Sequence, residues 1–297
     1  MSRNQGRLIR WIVYCVYAVT LVAVLAYFRF PGEQFRQYCE RQAETLFAGS
    51  QCRIGKSAYV FPFGLRLVDI ALTGENAADG PGQAVILQRL DIAWSPKNPG
   101  GEYGLSGDLY SGTFHGTLRK GTKRGSFTLS GLDIRGVDLW EIKPLQKILD
   151  REVKGQLDYS GTYGAEVNNY FAGALSGKIR LNRGSIALRQ KLLELEKIDV
   201  QQMEADLEYT GKKLQVKNGR MKGKEVSSDF SSTIAVADPW MLSSIAMTGN
   251  LAVLTEHLRT HPGITSEVNA LRRISKKQTI HFSVRGSMQS PAITLGY

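Results

Sequence analysis

Residues 153–160, VKGQLDYS, and residues 171–182, FAGALSGKIRLN, decide how this chain is read. In the first, Val153, Leu157 and Tyr159 alternate with Lys154, Gln156, Asp158 and Ser160. In the second, Phe171, Leu175, Ile179 and Leu181 share one parity with Gly173 and Gly177, while Lys178, Arg180 and Asn182 hold the other. A period of two puts apolar side chains on one face and polar ones on the other, the pattern of a half-buried antiparallel strand. Leaving Leu157, Tyr159, Phe171, Leu175 and Ile179 in water would forfeit roughly 1.5–3 kcal/mol per large side chain. These five are therefore candidates to line an apolar groove, covered by a curled sheet, a partner protein or acyl chains.

The same period extends outward in both directions. Upstream, Leu90, Ile92 and Trp94 alternate with Arg89, Asp91 and Ala93. Downstream, Met203, Leu207 and Tyr209 face Gln202, Glu204, Asp206 and Glu208 across the parity. Phe230, Ile234 and Val236 follow, then Ile280, Phe282 and Val284. Tyr110-Ser111-Gly112, Asn182-Arg183-Gly184, Thr210-Gly211-Lys212 and Lys217-Asn218-Gly219 read as turns. Parity slips at Leu67-Val68 and near Gly131 read as bulges. The phrase Leu-Ser-Gly recurs at 105, 129 and 175, which fits one long meander better than a compact sandwich. The expected fold is mainly β: an elongated, twisted and curled antiparallel sheet.

Three helical stretches interrupt or precede it. Over 32–49, Phe35, Tyr38, Ala43, Leu46 and Phe47 form one side, Glu33, Arg36, Glu40, Arg41 and Glu44 the other, and Gly49 is the stop. Over 138–150, Asp138 and Glu141 have capping-box spacing ahead of Leu145, Ile148 and Leu149, with Pro144 as a kink or restart. A third spans 266–275, with Val268, Leu271 and Ile274 on one side and a basic tail of Arg272, Arg273, Lys276 and Lys277.

Trp11 to Phe28 carries no charge. Eighteen helical residues rise about 27 Å, enough to cross a thin bilayer. Arg3, Arg7 and Arg10 precede the run and only Arg29 closely follows it, which places the amino terminus in the cytoplasm and the bulk of the chain across the membrane. The competing reading is a cleaved signal peptide with Val24-Leu25-Ala26 as its site. Against it, the run reaches that site without a polar segment and is longer than most such cores. The division expected is 1–10 cytoplasmic, 11–28 transmembrane anchor, 29–52 juxtamembrane helix and 53–297 a β-rich domain on the far side. Cys15 then lies in the membrane. Cys39 and Cys52 lie beyond it, where a disulfide between them and a pair of free thiols are both open readings.

Composition excludes several classes. Of 297 residues 31 are Gly, without the period of three that collagen needs. Three Cys and four His leave little for a multi-ligand metal site. Lys and Arg number 38 against 27 Asp and Glu, a surplus that favours an anionic neighbour such as a membrane surface. Two basic clusters stand out: Arg119, Lys120, Lys123 and Arg124, then Lys212, Lys213, Lys217, Arg220, Lys222 and Lys224. Solvated turns and protected strand edges account for them as readily as anionic headgroups or an acidic partner. Nucleic acid is not expected across the membrane. No G-x-S-x-G, G-x-G-x-x-G or phosphate loop is present. His257 and His261 have zinc-ligand spacing, but Leu258 stands where the general base belongs and Pro262 follows. No enzyme, cofactor or metal site is expected.

The chain resembles the type II secretion system protein N family, in its long, deltaproteobacterial form. The resemblance rests on Phe61-Pro62-Phe63-Gly64-Leu65, Gly112-Thr113-Phe114-His115-Gly116, Val153-Lys154-Gly155-Gln156-Leu157, Leu175-Ser176-Gly177-Lys178-Ile179, and Gly286 with Pro291-Ala292-Ile293-Thr294-Leu295. It spans roughly residues 55–297, and the order of the phrases carries it more than any one of them. It implies a single-pass inner-membrane protein with a periplasmic β-rich region that works by binding other secretion-apparatus envelope proteins, without catalytic residues. The closing phrase and the anchor-plus-sheet plan are also similar to AsmA-like envelope proteins, which implies an alternative: an apolar β-groove that holds or transfers lipid acyl chains.

Overall fold

The computed structural model describes residues 10–18, 20–21, 31–46, 50–61, 64–74, 84–95, 98, 100–121, 123, 125–166, 169–192, 195–237, 242–260, 262–275, 279–288 and 290–296. Fourteen strands form one sheet in strict chain order, each antiparallel to its neighbours. They are β1 (Ser50–Val60), β2 (Gly64–Gly74), β3 (Ala84–Trp94), β4 (Glu102–Leu109), β5 (Gly112–Lys120), β6 (Ser126–Asp138) and β7 (Val153–Glu166), followed by β8 (Asn169–Leu192), β9 (Leu195–Thr210), β10 (Lys213–Gly223), β11 (Val226–Ala235), β12 (Ser244–Val253), β13 (Ile280–Ser287) and β14 (Pro291–Leu295). At ~4.8 Å per strand spacing the sheet is about 62 Å across. The chain exposes 19454 Å², whereas a compact protein of this mass exposes roughly 12,500 Å². The molecule is an open sheet, and no second sheet covers it among the described residues.

Four helices lie on the apolar face: α1 (Gly32–Leu46), α2 (Lys143–Leu149), α3 (Thr255–Thr260) and α4 (Pro262–Ser275). Phe35, Cys39 and Ala43 of α1 pack on Cys52, Ile54, Leu65, Leu67 and Ile70. Leu145 and Leu149 of α2 pack on Val153, Leu181 and Val200. Val268 and Leu271 of α4 and Leu258 of α3 join Val226, Leu251, Val253 and Ile280.

Several expectations are corrected. Tyr38 is exposed, because the i, i+4 stripe that meets the sheet is Phe35–Cys39–Ala43 and Tyr38 stands off it. The helix expected from 138 begins at Lys143. Asp138 instead accepts a hydrogen bond from the Trp140 amide. Pro144 sits in the first turn, where its missing N–H costs nothing, and so opens the helix instead of kinking it. The last helix likewise opens at Pro262, four residues earlier than expected. Asn182-Arg183-Gly184 and Lys217-Asn218-Gly219 are not turns. They are bulges inside β8 and β10, where Arg183 and Asn218 take positive φ of 49° and 52° and the strand runs on. Tyr110-Ser111 and Gly211-Lys212 do turn the chain, all four with positive φ.

A bulge falls at Gly131 as expected. At Leu67-Val68 there is no register shift. Parity reverses instead at Asp69, φ 56°, in step with Gly55 opposite. Cys52 and Ile54 therefore share a cluster with Leu65, Leu67 and Ile70 despite their mixed parities.

Residues 10–18 and 20–21 are helical, and the remainder of the expected 11–28 span lies outside the described residues. Among the described residues no helix is long and apolar enough to cross a membrane. Arg3, Arg7, Arg29, Val24-Leu25-Ala26, Phe47, Gly49, Pro62, Phe63, Arg124, His261, Lys276 and Lys277 also lie outside, as do the side chains of Leu46, Ile148, Phe171 and Ile274.

Candidate functional site

Strand register turns the scattered apolar positions into rows. Trp94 stands opposite Tyr103, Tyr103 opposite Leu118, and Leu118 opposite Leu129. Leu129 faces Tyr163, Tyr163 faces Leu175, and Leu175 faces Tyr209. Tyr209 pairs with Leu214, Leu214 with Ile234, and Ile234 with Ile245. Ten apolar side chains thus run unbroken from β3 to β12, a row about 43 Å long at ~4.8 Å per strand. Trp94 and Tyr103 meet edge to face, with ring centroids 6.5 Å apart.

No member of this row belongs to the buried clusters beneath the helices. The α1 cluster runs along β2 and β3 as far as Leu65 and Ile92, one layer short of Trp94. Helices α2, α3 and α4 pack at the other end of the strands. There a lower row of Leu157, Leu181, Met203 and Met221 passes under α2, and buried Val137 extends it opposite Leu157. The upper row is half-buried, and Trp94 at its start is exposed. Adjacent cross-strand apolar pairs shield one another but leave their tips accessible.

Between the two rows the face is paved by aromatic rings lying over glycines. A Cβ on Gly107 would meet the Phe114 ring at 2.8 Å, one on Gly219 the Phe230 ring at 2.6 Å, and one on Gly249 the Phe282 ring at 2.7 Å. Tyr159 lies over Gly161 and Gly177 and donates a hydrogen bond from its hydroxyl to the Ser176 carbonyl, 3.3 Å away. Burial pushes the Tyr159 phenol pKa up.

The five groove candidates separate along these rows. Leu175 lies in the uncovered row. Ile179 and Tyr159 pair with each other two layers down, past the Gly161–Gly177 pair, Ile179 half-buried and Tyr159 buried. Leu157 packs into the cluster under α2 and is part of the closed core. Phe171 lies in β8, with its side chain outside the described residues. Sequence reading missed Tyr103, Leu118, Leu129, Tyr163, Leu214 and Ile245. Counting parity back from each Gly-bearing turn would have found them.

The opposite face is a charge lattice. Arg66 holds Asp91 through two bonds of 2.6 and 3.0 Å, Arg89 reaches Asp108 at 3.0 Å, and Arg180 reaches Glu204 at 3.4 Å. A cavity of ≈ 710 Å³ opens on this face, walled by Arg135, Asp158, Lys178, Arg180, Glu204 and Arg220 among others. The charges alternate in sign and the side chains are partly exposed, so each pair contributes about 0–1 kcal/mol. The Arg135 guanidinium lowers the Asp133 carboxyl pKa and is itself raised.

The longer basic cluster is dispersed by β10: Lys212 and Lys213 sit at one end of the strand, Lys222 and Lys224 at the other. Lys217 pairs with Glu208, and Arg119 with Glu102.

Cys39 and Cys52 are both free thiols in one apolar cluster. Burial, then the charge of Glu40, pushes both thiols up in pKa. His257 is buried on α3. Among the described residues no group of three His, Cys, Asp or Glu is placed to hold a metal.

No protein-family model, no curated protein and no solved structure matches this chain.

Proposed function

We propose that the chain is a non-catalytic, inner-membrane-anchored component of the bacterial type II protein secretion apparatus, working in the periplasm by binding other envelope proteins. The observation that supports a binding role is the uncovered row from Trp94 to Ile245. A continuous apolar surface of that length, left bare by every described helix, gains free energy only when something apolar lies on it. The setting in secretion rests on the sequence resemblance. A second reading, an AsmA-like groove for lipid acyl chains, is favoured by the row's form: it is long, one residue wide and flanked by flat ring-on-glycine paving, dimensions that suit a linear chain.

One experiment separates the two. A photo-crosslinking residue placed at Leu175 in living cells gives a protein adduct under the first reading and a lipid adduct under the second. The same residue at Lys178, on the opposite face, serves as control. Adducts no stronger at 175 than at 178 would overturn both. Deleting the gene should also leave folded exoproteins in the periplasm, and unchanged export in a strain without a second copy of the system would refute the secretion assignment. A reporter fused after Tyr297 should be active only on the periplasmic side.

A further inference from the structure

The two edges of the sheet are treated differently. At β1 three outward backbone groups, at Cys52 and Ile54, are occupied by side chains of α1. The Ile54 amide donates to Glu40 Oε1 at 2.8 Å, the Ile54 carbonyl accepts from Arg36 Nη1 at 3.1 Å, and the Cys52 amide donates to Glu44 Oε1 at 3.4 Å. Arg53 and Lys56 add charge along the strand. That edge is closed to another strand.

At β14 none of these devices is present. Pro291–Leu295 carries no charged residue, pairs among the described residues with β13 alone, and leaves Ala292, Ile293 and Thr294 exposed, Ile293 to 48%. The Gly296 amide donates to the His281 carbonyl at 2.8 Å. By the alternation of an antiparallel ladder, Thr294 and Ala292 then also bond inward, so the N–H and C=O groups of Ile293 and Leu295 point to the free edge. An uncharged strand with unpaired, outward-facing backbone is a template for another strand.

We propose that β14 docks a second copy of this chain, the two β14 strands pairing antiparallel about an Ile293–Ile293 centre. In that register each Ile293 amide donates to the other's carbonyl, and each Leu295 amide donates to the other's Pro291 carbonyl. Pro291 has no N–H to return, so pairing ends there. The strand is self-complementary: Ile293 meets Ile293, Ala292 meets Thr294, and no like charges oppose. A twofold axis normal to the sheet keeps both apolar faces on one side. Ile293 stands in the cross-strand row of Val284 and Met247, so that row continues into the partner. Because β1 is closed, association stops at two copies and no filament follows.

The test is the mass of the full chain in detergent, by light scattering corrected for bound detergent. The expected result is twice 32.9 kDa. Ile293→Lys, which opposes like charges at the centre, should weaken dimerisation at least about ten-fold, a loss of about 1.4 kcal/mol, with an unchanged circular dichroism spectrum. Ile293→Val should dimerise like the parent. Ile293→Cys should form a disulfide-linked dimer under mild oxidation, and Lys213→Cys should not. A monomeric parent chain, a dimer indifferent to Ile293→Lys, or no cross-link through position 293 would each overturn the proposal and leave the apolar-row reading untouched.

Discussion

At Gly177 a single missing methyl decides whether β7 and β8 can close up. A Cβ there would stand 2.4 Å from the Ser160 carbonyl oxygen and 2.7 Å from the Tyr159 hydroxyl. The backbone oxygen cannot retreat without opening the β7–β8 ladder. Gly177→Val should therefore destabilise by about 1–3 kcal/mol, the usual cost of overpacking, read as a lower urea midpoint. Gly74→Ala, with nothing within 4 Å of the added methyl, should leave the midpoint unmoved, and equal effects at the two sites would disprove the close-packing account. The thiols supply a second test at this scale. Burial, then Glu40, raises Cys39 and Cys52, so the unfolded chain gives up these protons at lower pH than the folded one. The stability they contribute is whole below the ordinary thiol range and is lost as pH climbs through the raised values. Alkaline unfolding should be blunted in a Cys39→Ala/Cys52→Ala chain compared at matched stability near pH 7. In the parent, iodoacetamide should reach these thiols quickly only after denaturation. Failure to react even in denaturant without a reductant would show a Cys39–Cys52 bridge in the native protein.

Helix α1 is more than a cover for its end of the sheet, because its polar residues finish a strand edge. Glu40→Ala would leave the Ile54 amide without its acceptor, at a cost of about 1–3 kcal/mol if that amide stays shielded from water. It would also free Arg36 from one of its partners. The expected outcome is a lower melting temperature together with concentration-dependent association through β1, seen by light scattering. Glu40→Gln, which keeps an acceptor oxygen, should lose much less, and identical behaviour of the two variants would argue against the edge-capping role. Elements of this kind were only partly legible in the sequence. The i, i+4 stripe of α1 could be read, but which flank meets β1 could not, since it depends on a strand that begins at Ser50 and runs back along the helix. Asn182-Arg183-Gly184 and Lys217-Asn218-Gly219 have the composition of turns. They became bulges because apolar alternation resumes on both sides and the neighbouring strands keep pairing past them, a tertiary fact that no local window contains. Pro144 is the reverse case: its local chemistry already favoured a helix start, and the capping spacing at Asp138 pointed to an earlier one.

Across the whole molecule the sheet was legible because alternation recurs in nearly every segment and the links are short. Short antiparallel links leave a sequential meander as the simplest order, and the structure has that order throughout. The uncovered row was not legible, because it belongs to no single strand: Leu118, Leu129, Tyr163 and Leu175 become neighbours only once three registers and their bulges are fixed. The distinction between covered and uncovered ends can be tested within one strand. Leu181 is 2% exposed and packs against the α2 cluster. Leu175 lies six residues away on the same face of β8, half-buried and outside the clusters beneath the described helices. Leu181→Asp should unfold the domain, since a carboxylate enters an apolar site with no partner for its charge. Leu175→Asp should fold, with its charge in reach of water, and should lose whatever lies on the row: a co-purifying protein under the secretion reading, phospholipid detected by mass spectrometry under the lipid reading. Circular dichroism separates the two variants, and mass spectrometry of the purified chain reports the occupant. If Leu175→Asp unfolds as completely as Leu181→Asp, the row is structural core and the chain holds its partners by some other surface. If it folds and keeps every partner of the parent, the row is bare in the cell and contributes nothing to binding.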